Sequence, residues 1–204
     1  MSETTNRYSE QINQLKNEKN LSDADFLSLI ECPDELPELT AAADAVRRKV
    51  YGDAVFLRGL IEFTNVCKNN CYYCGIRCGN DKVERYRLSK EDILSCCDTG
   101  YALGYRTFVL QGGEDPYFKA KRLCDILDSI RSKYPDCMIT LSVGERPRED
   151  YKAFFDAGAG RYLLRHETAT DAHYAKLHPE SMSLAARKSC LFALKEIGYQ
   201  VGAG

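Results

Sequence analysis

An apolar, strand-like segment runs directly into three closely spaced cysteines in Leu60-Ile61-Glu62-Phe63-Thr64-Asn65-Val66-Cys67-Lys68-Asn69-Asn70-Cys71-Tyr72-Tyr73-Cys74. The spacing C-x3-C-x2-C suits neither a helix nor a strand, so it predicts a loop that folds three thiolates around one face of a cubic iron–sulfur cluster. Four cysteines around a cluster are typical of electron transfer. Three leave one iron with an open position, which can bind and activate a small molecule.

Two other arrangements of the same residues stay open. Cys78 extends the motif to C-x3-C-x2-C-x3-C, and as a fourth ligand it would close the open iron and make the chain an electron-transfer protein. Zinc is the other alternative, with His166, His173 and His178 as the available histidines. These histidines form no tight ligand set with the cysteines along the sequence.

The composition is that of an ordinary globular protein. The 204 residues are 44% hydrophobic and 28% charged, with a net charge of −2, which argues against bulk electrostatic binding to nucleic acid or anionic membranes. No apolar run reaches the length of a membrane span, and the polar N-terminus lacks the apolar segment of a signal peptide. We therefore expect a cytoplasmic protein.

The chain contains ten cysteines, more than the motif needs. In a reducing compartment, a chain long enough for a sizeable core has little use for a disulfide framework. We therefore predict free thiols packed in the core for the six cysteines outside the motif and its extension, which are Cys32, Cys96, Cys97, Cys124, Cys137 and Cys190.

Two regions differ in their patterning. Residues 1–53 are predicted to be a helical extension, in which Ser22 can cap one helix and Gly52 can end the next. Residues 54–204 alternate apolar strands with helices, which predicts βαβ units and a parallel sheet. The predicted strands are 60–63, 107–110, 138–142, 161–164 and one that begins near 199, and the predicted helices include 116–134, 147–158, 171–177 and 183–197.

Glycines and charged residues follow each of the five predicted strands. In parallel β/α barrels, functional residues gather at this carboxyl edge of the sheet. We therefore expect one shared site and an α/β fold of the TIM-barrel type. Five strands cannot close a barrel of six or eight. We thus expect a partial barrel, a fragment of a longer protein, that is inactive or poorly soluble alone.

With an aromatic residue, Tyr73, before the third cysteine, the motif resembles the C-x3-C-x-aromatic-C signature of the radical S-adenosylmethionine (SAM) superfamily. The resemblance implies a 4Fe-4S cluster held by Cys67, Cys71 and Cys74, whose unique iron binds the amino and carboxylate groups of SAM. It also implies reductive cleavage of SAM to methionine and a 5′-deoxyadenosyl radical.

Longer segments resemble the biotin-synthase-like branch of that superfamily and, within it, the HydE family of FeFe-hydrogenase maturases. The segments are 59–67, 73–77, Arg85-Tyr86-Arg87, 109–115, 162–168 and 198–204. This resemblance implies a role in assembling the hydrogenase active site (H-cluster). Biotin synthesis and methylornithine synthesis by the same initiating chemistry are the alternatives, beside the electron-transfer protein.

The resemblance also assigns site residues. Gly112, Gly113 and Glu114 match an element near the SAM amino group, where a carboxylate and closely approaching backbone would hold an ammonium group. A generic glycine turn is the alternative. Tyr73 and Ser142 also match positions at the SAM site.

Two further SAM contacts come from the same resemblance. Glu167 matches the carboxylate near the SAM ribose, and the alternative is an acid that offsets a helix dipole. Arg187 matches the arginine that pairs with the SAM carboxylate, a task that suits a planar guanidinium. A solvated helix arginine is its alternative.

Arg165 is expected to bind the substrate. It follows two leucines in a predicted strand, where an unpaired charge is costly unless an anion faces it. A structural salt bridge to Glu145 or Glu167 is the alternative. The implied substrate is a cysteine-ligated iron carbonyl cyanide complex delivered by a partner maturase, and an external electron donor is the second implied partner.

Overall fold

The structure is a computed structural model that describes residues 3–31 and 36–204. The chain divides into two compact units, one ending at Phe56 and the other spanning Leu57–Gly204. This division lies close to the predicted boundary between residues 53 and 54.

The described residues of the first unit form the helices α1 (Glu3–Glu18), α2 (Asp23–Glu31) and α3 (Leu36–Tyr51). Ser22 caps α2 as predicted, because its Oγ accepts a hydrogen bond from the Asp25 amide at 3.2 Å. Gly52 follows α3 with φ of 63°, a left-handed conformation that suits glycine at a helix end. The predicted core cysteine Cys32 lies outside the described residues.

The second unit alternates strands and helices, as the sequence predicts. Its strands are β1 (Gly59–Thr64), β2 (Thr107–Gly112), β3 (Met138–Ser142), β4 (Ala159–Leu163) and β5 (Gln200–Gly202). Its helices are α4 (Lys90–Ala102), α5 (Ala120–Lys133), α6 (Arg148–Asp156), α7 (Asp171–Leu177) and α8 (Leu184–Ile197). None of the described helices has both the length and the apolar character to cross a membrane.

All neighbouring strands of the single sheet are parallel, in the order β1-β2-β3-β4-β5. The predicted α/β fold with a partial barrel is confirmed. Because the order follows the chain, the carboxyl ends of all five strands lie along one edge, and the loops after them form the candidate site.

The sheet packs one face against α4, α5, α6 and α8. The register aligns one buried row across the first four strands, which consists of Ile61, Leu110, Leu141 and Tyr162. Of the predicted core cysteines, Cys97 and Cys137 are buried, and Cys124 and Cys190 pack partly buried against the core. The prediction for Cys96 is wrong, because this residue is exposed. One residue along a helix turns by about 100°, which carries Cys96 away from the face of Cys97.

Residues 54–57 belong to no strand, and Val55, Phe56 and Leu57 are exposed. One local expectation is wrong. The helix expected from Pro116 begins at Ala120, because the preceding residues form a turn on Asp115. The Tyr117 amide donates to the Asp115 carboxylate at 2.9 Å, and the Phe118 amide donates to the Asp115 carbonyl at 3.2 Å.

Candidate active site at the carboxyl edge of the sheet

The cysteine loop, residues 65–80, leaves the end of β1. Cys67, Cys71 and Cys74 are free and partly buried, whereas Cys78 is exposed. The Cys78 amide donates to the Asn69 carbonyl at 2.9 Å, and this bond joins the segment after Cys74 to the segment between Cys67 and Cys71. The motif therefore separates into three thiols at the site and one at the surface.

The first two thiols resist deprotonation. Burial raises the pKa of Cys67, and burial followed by repulsion from a charged Cys67 raises the pKa of Cys71 to about 11. A thiolate at Cys74 would raise both pKa values further. A bound cationic metal centre would offset both burial and repulsion, so the three thiols fit a metal-binding donor set.

Two other segments hold the cysteine loop in place. The Lys68 amide donates to the Glu114 carbonyl at 3.1 Å after β2. The Tyr72 amide donates to the Leu177 carbonyl at 2.9 Å at the end of α7. The loop is thus fixed from both sides of the site.

Tyr73, the aromatic of the motif, is anchored by a histidine. The buried His178 has Nδ1 at 3.1 Å from the Tyr174 carbonyl, an acceptor, so Nδ1 carries the proton. Nε2 then accepts a hydrogen bond from the Tyr73 hydroxyl at 3.3 Å. Burial lowers the pKa of His178, which favours this neutral form.

Gly113 allows the cysteine loop to approach β2. A Cβ at this position would lie 2.3 Å from the Val66 carbonyl oxygen and 2.7 Å from the Cys67 Cβ. No side chain fits there, so the glycine is needed for close packing of the loop. A generic turn does not explain this contact.

The Glu114 side chain is buried and already has two partners. Its Oε1 accepts from the Glu145 amide at 2.8 Å, and its Oε2 lies 3.3 Å from the Lys68 ammonium. Glu114 lines a cavity of about 480 Å³ that lies beside the site and is shared with Lys68 and Glu145. Its clearest structural role is to bind the loops after β1 and β3 together.

A neighbouring cavity of about 280 Å³ brings together most of the predicted site residues. Residues from the cysteine loop, the strand ends and α8 line it: Tyr73, Cys74, Gln111, Gly112, Ser142, Gly144, Leu163, Leu164, Arg165, Glu167 and Arg187. Gly113 and Glu114 do not line this cavity.

Arg187 is buried and forms an ion pair. Its Nε lies 2.7 Å from Glu145 Oε1, without the alignment of a hydrogen bond. Burial, the largest influence, would lower the pKa of Arg187, but the negative charges of Glu145 and Glu114 and the contact with Tyr174 together raise it overall. For Glu145, burial raises the pKa despite the opposing effect of Arg187. The solvated-helix alternative for Arg187 is wrong.

Glu167 has a left-handed backbone, with φ of 66°. For a residue with a Cβ this conformation costs about 1 kcal/mol. The Glu167 amide donates to the Gly204 carbonyl at 2.8 Å, which holds the turn after β4 against the end of β5. Glu167 precedes α7, whose first turn carries Asp171 instead, so a helix-dipole role does not account for it.

Arg165 is exposed at the wall of the 280 Å³ cavity. Among the described residues no carboxylate forms an ion pair with it, and Glu145 pairs with Arg187 instead. The salt bridge that we considered as an alternative is therefore not formed. A cation without a partner remains at the cavity.

Comparison with known proteins agrees with this geometry. The sequence profile of the Radical SAM superfamily matches residues 61–203. The chain belongs to the radical SAM superfamily. The match begins within β1 and ends after β5, so it includes the cysteine loop and all of the sheet except the first two residues of β1.

Several radical SAM proteins are similar to the chain. The [FeFe] hydrogenase maturase subunit HydE of Thermotoga maritima is 47% identical over 162 residues, which are 79% of this chain and 46% of that protein. A 3-methylornithine synthase of Methanosarcina acetivorans is 31% identical over 188 residues, which are 90% of this chain and 53% of that protein. The chain thus spans about half the length of the curated relatives it matches.

Among solved structures, methylornithine synthase (PylB) superposes with a TM-score of 0.84 at 29% identity. The alignment covers 95% of this chain and 58% of that one.

The radical SAM family implies a 4Fe-4S cluster and SAM, and the donor set fits a cluster better than a single ion. Within residues 3–31 and 36–204, no three His, Cys, Asp or Glu side chains converge as the ligands of one metal ion do. A four-iron cluster places each cysteine on a different iron, so it needs no such convergence. The histidines of the zinc alternative have other partners: His166 and His173 both bond to Thr168, and His178 bonds to the Tyr174 carbonyl.

Three residues contribute to this site in ways that the sequence did not indicate. Glu145 and His178 are recognisable only from their partners, Arg187 and Tyr73, which are distant in sequence. Gln111 is different. Its position in β2, opposite Ser142 in the register, follows from the alternation of the strand and could have been found.

Proposed function

We propose that the chain is part of a radical SAM enzyme that acts in FeFe-hydrogenase maturation. Cys67, Cys71 and Cys74 would hold a 4Fe-4S cluster, and SAM would occupy the adjoining 280 Å³ cavity. The cluster, when bound, would supply a reducing electron and one iron without a protein ligand. The observation that carries the proposal is the placement of three partly buried free thiols beside this cavity, in a chain 47% identical to a HydE.

The cavity residues offer SAM the groups that it needs. Arg187, held by Glu145, would bind the SAM carboxylate with the guanidinium N–H groups that Glu145 does not contact. Glu167, in its strained turn, would accept hydrogen bonds from the ribose hydroxyls. Ser142 and the backbone at Gly112 supply further polar contacts. Gly113 and Glu114 would act through the cysteine loop and the Glu145 turn that they support.

A substrate with a negative charge fits the remaining wall. Arg165 is exposed there, and no described carboxylate neutralises it. A cysteine-ligated iron carbonyl cyanide complex, supplied by a partner maturase, would present a carboxylate to this guanidinium. The many free thiols support a reducing, cytoplasmic setting with an external electron donor.

Anaerobic reconstitution with iron and sulfide tests the cluster and SAM chemistry. The chain should take up about one 4Fe-4S cluster, as expected from three thiolates around one cubane. SAM should then change the EPR signal of the reduced cluster, and dithionite should release 5′-deoxyadenosine. Cys67→Ala should abolish this release, and Cys78→Ala should leave it intact. If Cys67→Ala still releases 5′-deoxyadenosine, or if Cys78→Ala loses the cluster equally, the assignment is wrong.

Methylornithine synthesis is the second candidate, since a 3-methylornithine synthase matches 90% of the chain. Both candidates require SAM cleavage and place an acidic substrate group near Arg165. Hydrogenase maturation and formation of methylornithine, assayed in parallel with the same protein, separate them. Arg165→Ala should block the genuine product reaction while SAM cleavage continues.

A further inference from the structure

The segment Arg85-Tyr86-Arg87 lies beside the cysteine loop and has no role in the chemistry above. It runs antiparallel to the end of β1, where Thr64 pairs with Arg87 and the Leu88 amide donates to the Phe63 carbonyl at 2.8 Å. Tyr86 contacts the start of the loop, because its amide donates to the Asn65 side chain at 2.8 Å. The segment is therefore fixed to the strand that carries the cysteine loop.

One side chain of this segment binds four backbone carbonyls of the loop. Arg85 Nη1 donates to the carbonyls of Asn65 at 2.6 Å and Ile76 at 2.9 Å. Its Nη2 donates to those of Arg77 at 2.8 Å and Asn80 at 3.0 Å. The guanidinium thus joins the chain before the first cysteine to the chain after the third.

The chemistry of this contact requires arginine. A planar guanidinium presents its donors in a fixed fork, so two nitrogens can each hold two carbonyls at set angles. An ammonium has three donors around one point and cannot bind four carbonyls. Among the residues that the structure describes, no carboxylate forms an ion pair with Arg85. The hydrogen bonds that hold its guanidinium are those to the four backbone carbonyls.

We propose that Arg85 is a positioning residue that sets the shape of the cysteine loop before any metal binds. By joining Asn65 to the stretch 76–80, it fixes both ends of the loop, and the three thiols then have little freedom left. The part of this inference that concerns cluster retention rests on the proposed function. The part that concerns the loop itself does not.

The chain contains a matched control at the opposite edge of the sheet. Arg131 on α5 also binds backbone carbonyls through its guanidinium, at Pro135, Cys137 and Gly158, with distances of 3.0, 2.9 and 2.8 Å. These groups precede β3 or β4, so they lie at the amino edge of the sheet, away from the cysteine loop. Arg131→Lys removes a similar contact without touching the site.

The first experiment uses the metal-free chain and measures amide hydrogen exchange. In Arg85→Lys, peptides covering 65–80 should lose protection, while peptides from β2 and β3 keep theirs. In Arg131→Lys, protection should fall near 131–138 and 158, and the loop should be unchanged. Unchanged protection of 65–80 in Arg85→Lys would overturn the proposal, as would equal loss of loop protection in Arg131→Lys.

The second experiment measures how fast a chelator removes iron from the reconstituted protein. Groups that orient metal ligands typically change metal affinity by 10-fold or more, so Arg85→Lys should lose iron about 10-fold faster than the wild type. Arg131→Lys should match the wild type. Guanidinium ion at millimolar levels should slow the loss from Arg85→Ala, where it can enter the vacated position, and should not slow the loss from Arg85→Lys.

The two experiments separate the two proposals. A wild-type chain that takes up no iron would refute the proposed function, and the exchange measurement would still decide the role of Arg85. A wild-type chain that holds its cluster, with Arg85→Lys losing iron at the same rate, would refute the positioning role and leave the proposed function standing.

Discussion

The two faces of the single sheet are built from the same strands and have opposite character. On the helix-covered face, Leu110 and Leu141 are 0% exposed. One residue further along each strand, Gln111 and Ser142 lie on the open face and are only partly buried. The open face also carries Glu62, whose carboxylate accepts a hydrogen bond from Gln111 at 3.3 Å.

This difference shows where stability and function are divided. Side chains of a strand alternate between faces, so each strand can place apolar groups in the core and polar groups at the open face without conflict. The covered face should carry most of the free energy of unfolding. The open face should tolerate substitution with little loss of stability and should respond mainly in ligand binding.

The largest expected effect tests the covered face. Leu110→Ala should lower the free energy of unfolding by about 2–5 kcal/mol, because a cavity remains in a closely packed core. Leu163→Ala is the matched control, since Leu163 lines the 280 Å³ cavity on the open face and is only partly buried. Leu163→Ala should lower the free energy of unfolding by about 1 kcal/mol or less. Urea unfolding measures both, and equal losses would contradict the division between faces.

A second prediction concerns Asp115, where the end of β2 meets the loops. Its buried carboxylate accepts from Arg87 at 2.7 and 3.0 Å and from the Thr64 hydroxyl at 2.8 Å. Burial would raise the pKa of Asp115, but these hydrogen bonds and the Arg87 charge lower it overall. Asp115→Asn should therefore cost about 1.5–3 kcal/mol at neutral pH, as expected for hydrogen bonds to a charged group.

The pH dependence of this effect has a defined sign. Because the folded pKa of Asp115 lies below the ordinary value of 3.8, its contribution is present above pH 3.8 and is lost as the pH falls through the folded pKa. The stability difference between wild type and Asp115→Asn should thus be full at pH 7 and shrink below pH 3.8. A difference that stays constant to low pH would show that the carboxylate charge is not the cause.

A third prediction concerns strain at the open edge of the site. Glu167→Gly should raise the stability of the protein by roughly 0.5–1 kcal/mol, because glycine adopts the left-handed backbone without a Cβ clash. It should weaken SAM binding, because it removes the carboxylate. Lys19→Gly is the control, since Lys19 also has positive φ, at 56°. That variant should leave SAM binding unchanged, and thermal melting with a SAM titration tests both.

The sequence was sufficient for those parts of the fold that depend on local patterns. Alternation along β2 and β3, the helix cap at Ser22, and the order of strands and helices all follow from neighbouring residues. The cysteine spacing likewise predicted a loop with three thiols at the site. These features require no knowledge of which distant residues meet.

The parts that the sequence could not supply depend on tertiary contacts. Glu145 forms an ion pair with Arg187. His178 forms a hydrogen bond with Tyr73, which lies 105 positions earlier in the sequence. Glu114 was expected near the SAM amino group, and its hydrogen bond from the Glu145 amide could not be foreseen from the sequence. Its orientation depends on Gly144, because a Cβ there would lie 2.1 Å from the Glu114 Cγ.

The smallest effect on stability, and the sharpest test of the open face, comes from Gln111. Gln111→Ala should change the free energy of unfolding by less than about 0.5 kcal/mol, because the side chain is partly exposed and the Glu62 carboxylate that it contacts is also exposed. The same variant should raise the dissociation constant of SAM about 2- to 10-fold, the loss expected from one neutral hydrogen bond. Urea unfolding and equilibrium SAM binding measure the two quantities on one preparation. A large loss of stability with normal SAM affinity would mean that Gln111 belongs to the packed core. The contrast between the two faces of the sheet would then not hold at β2.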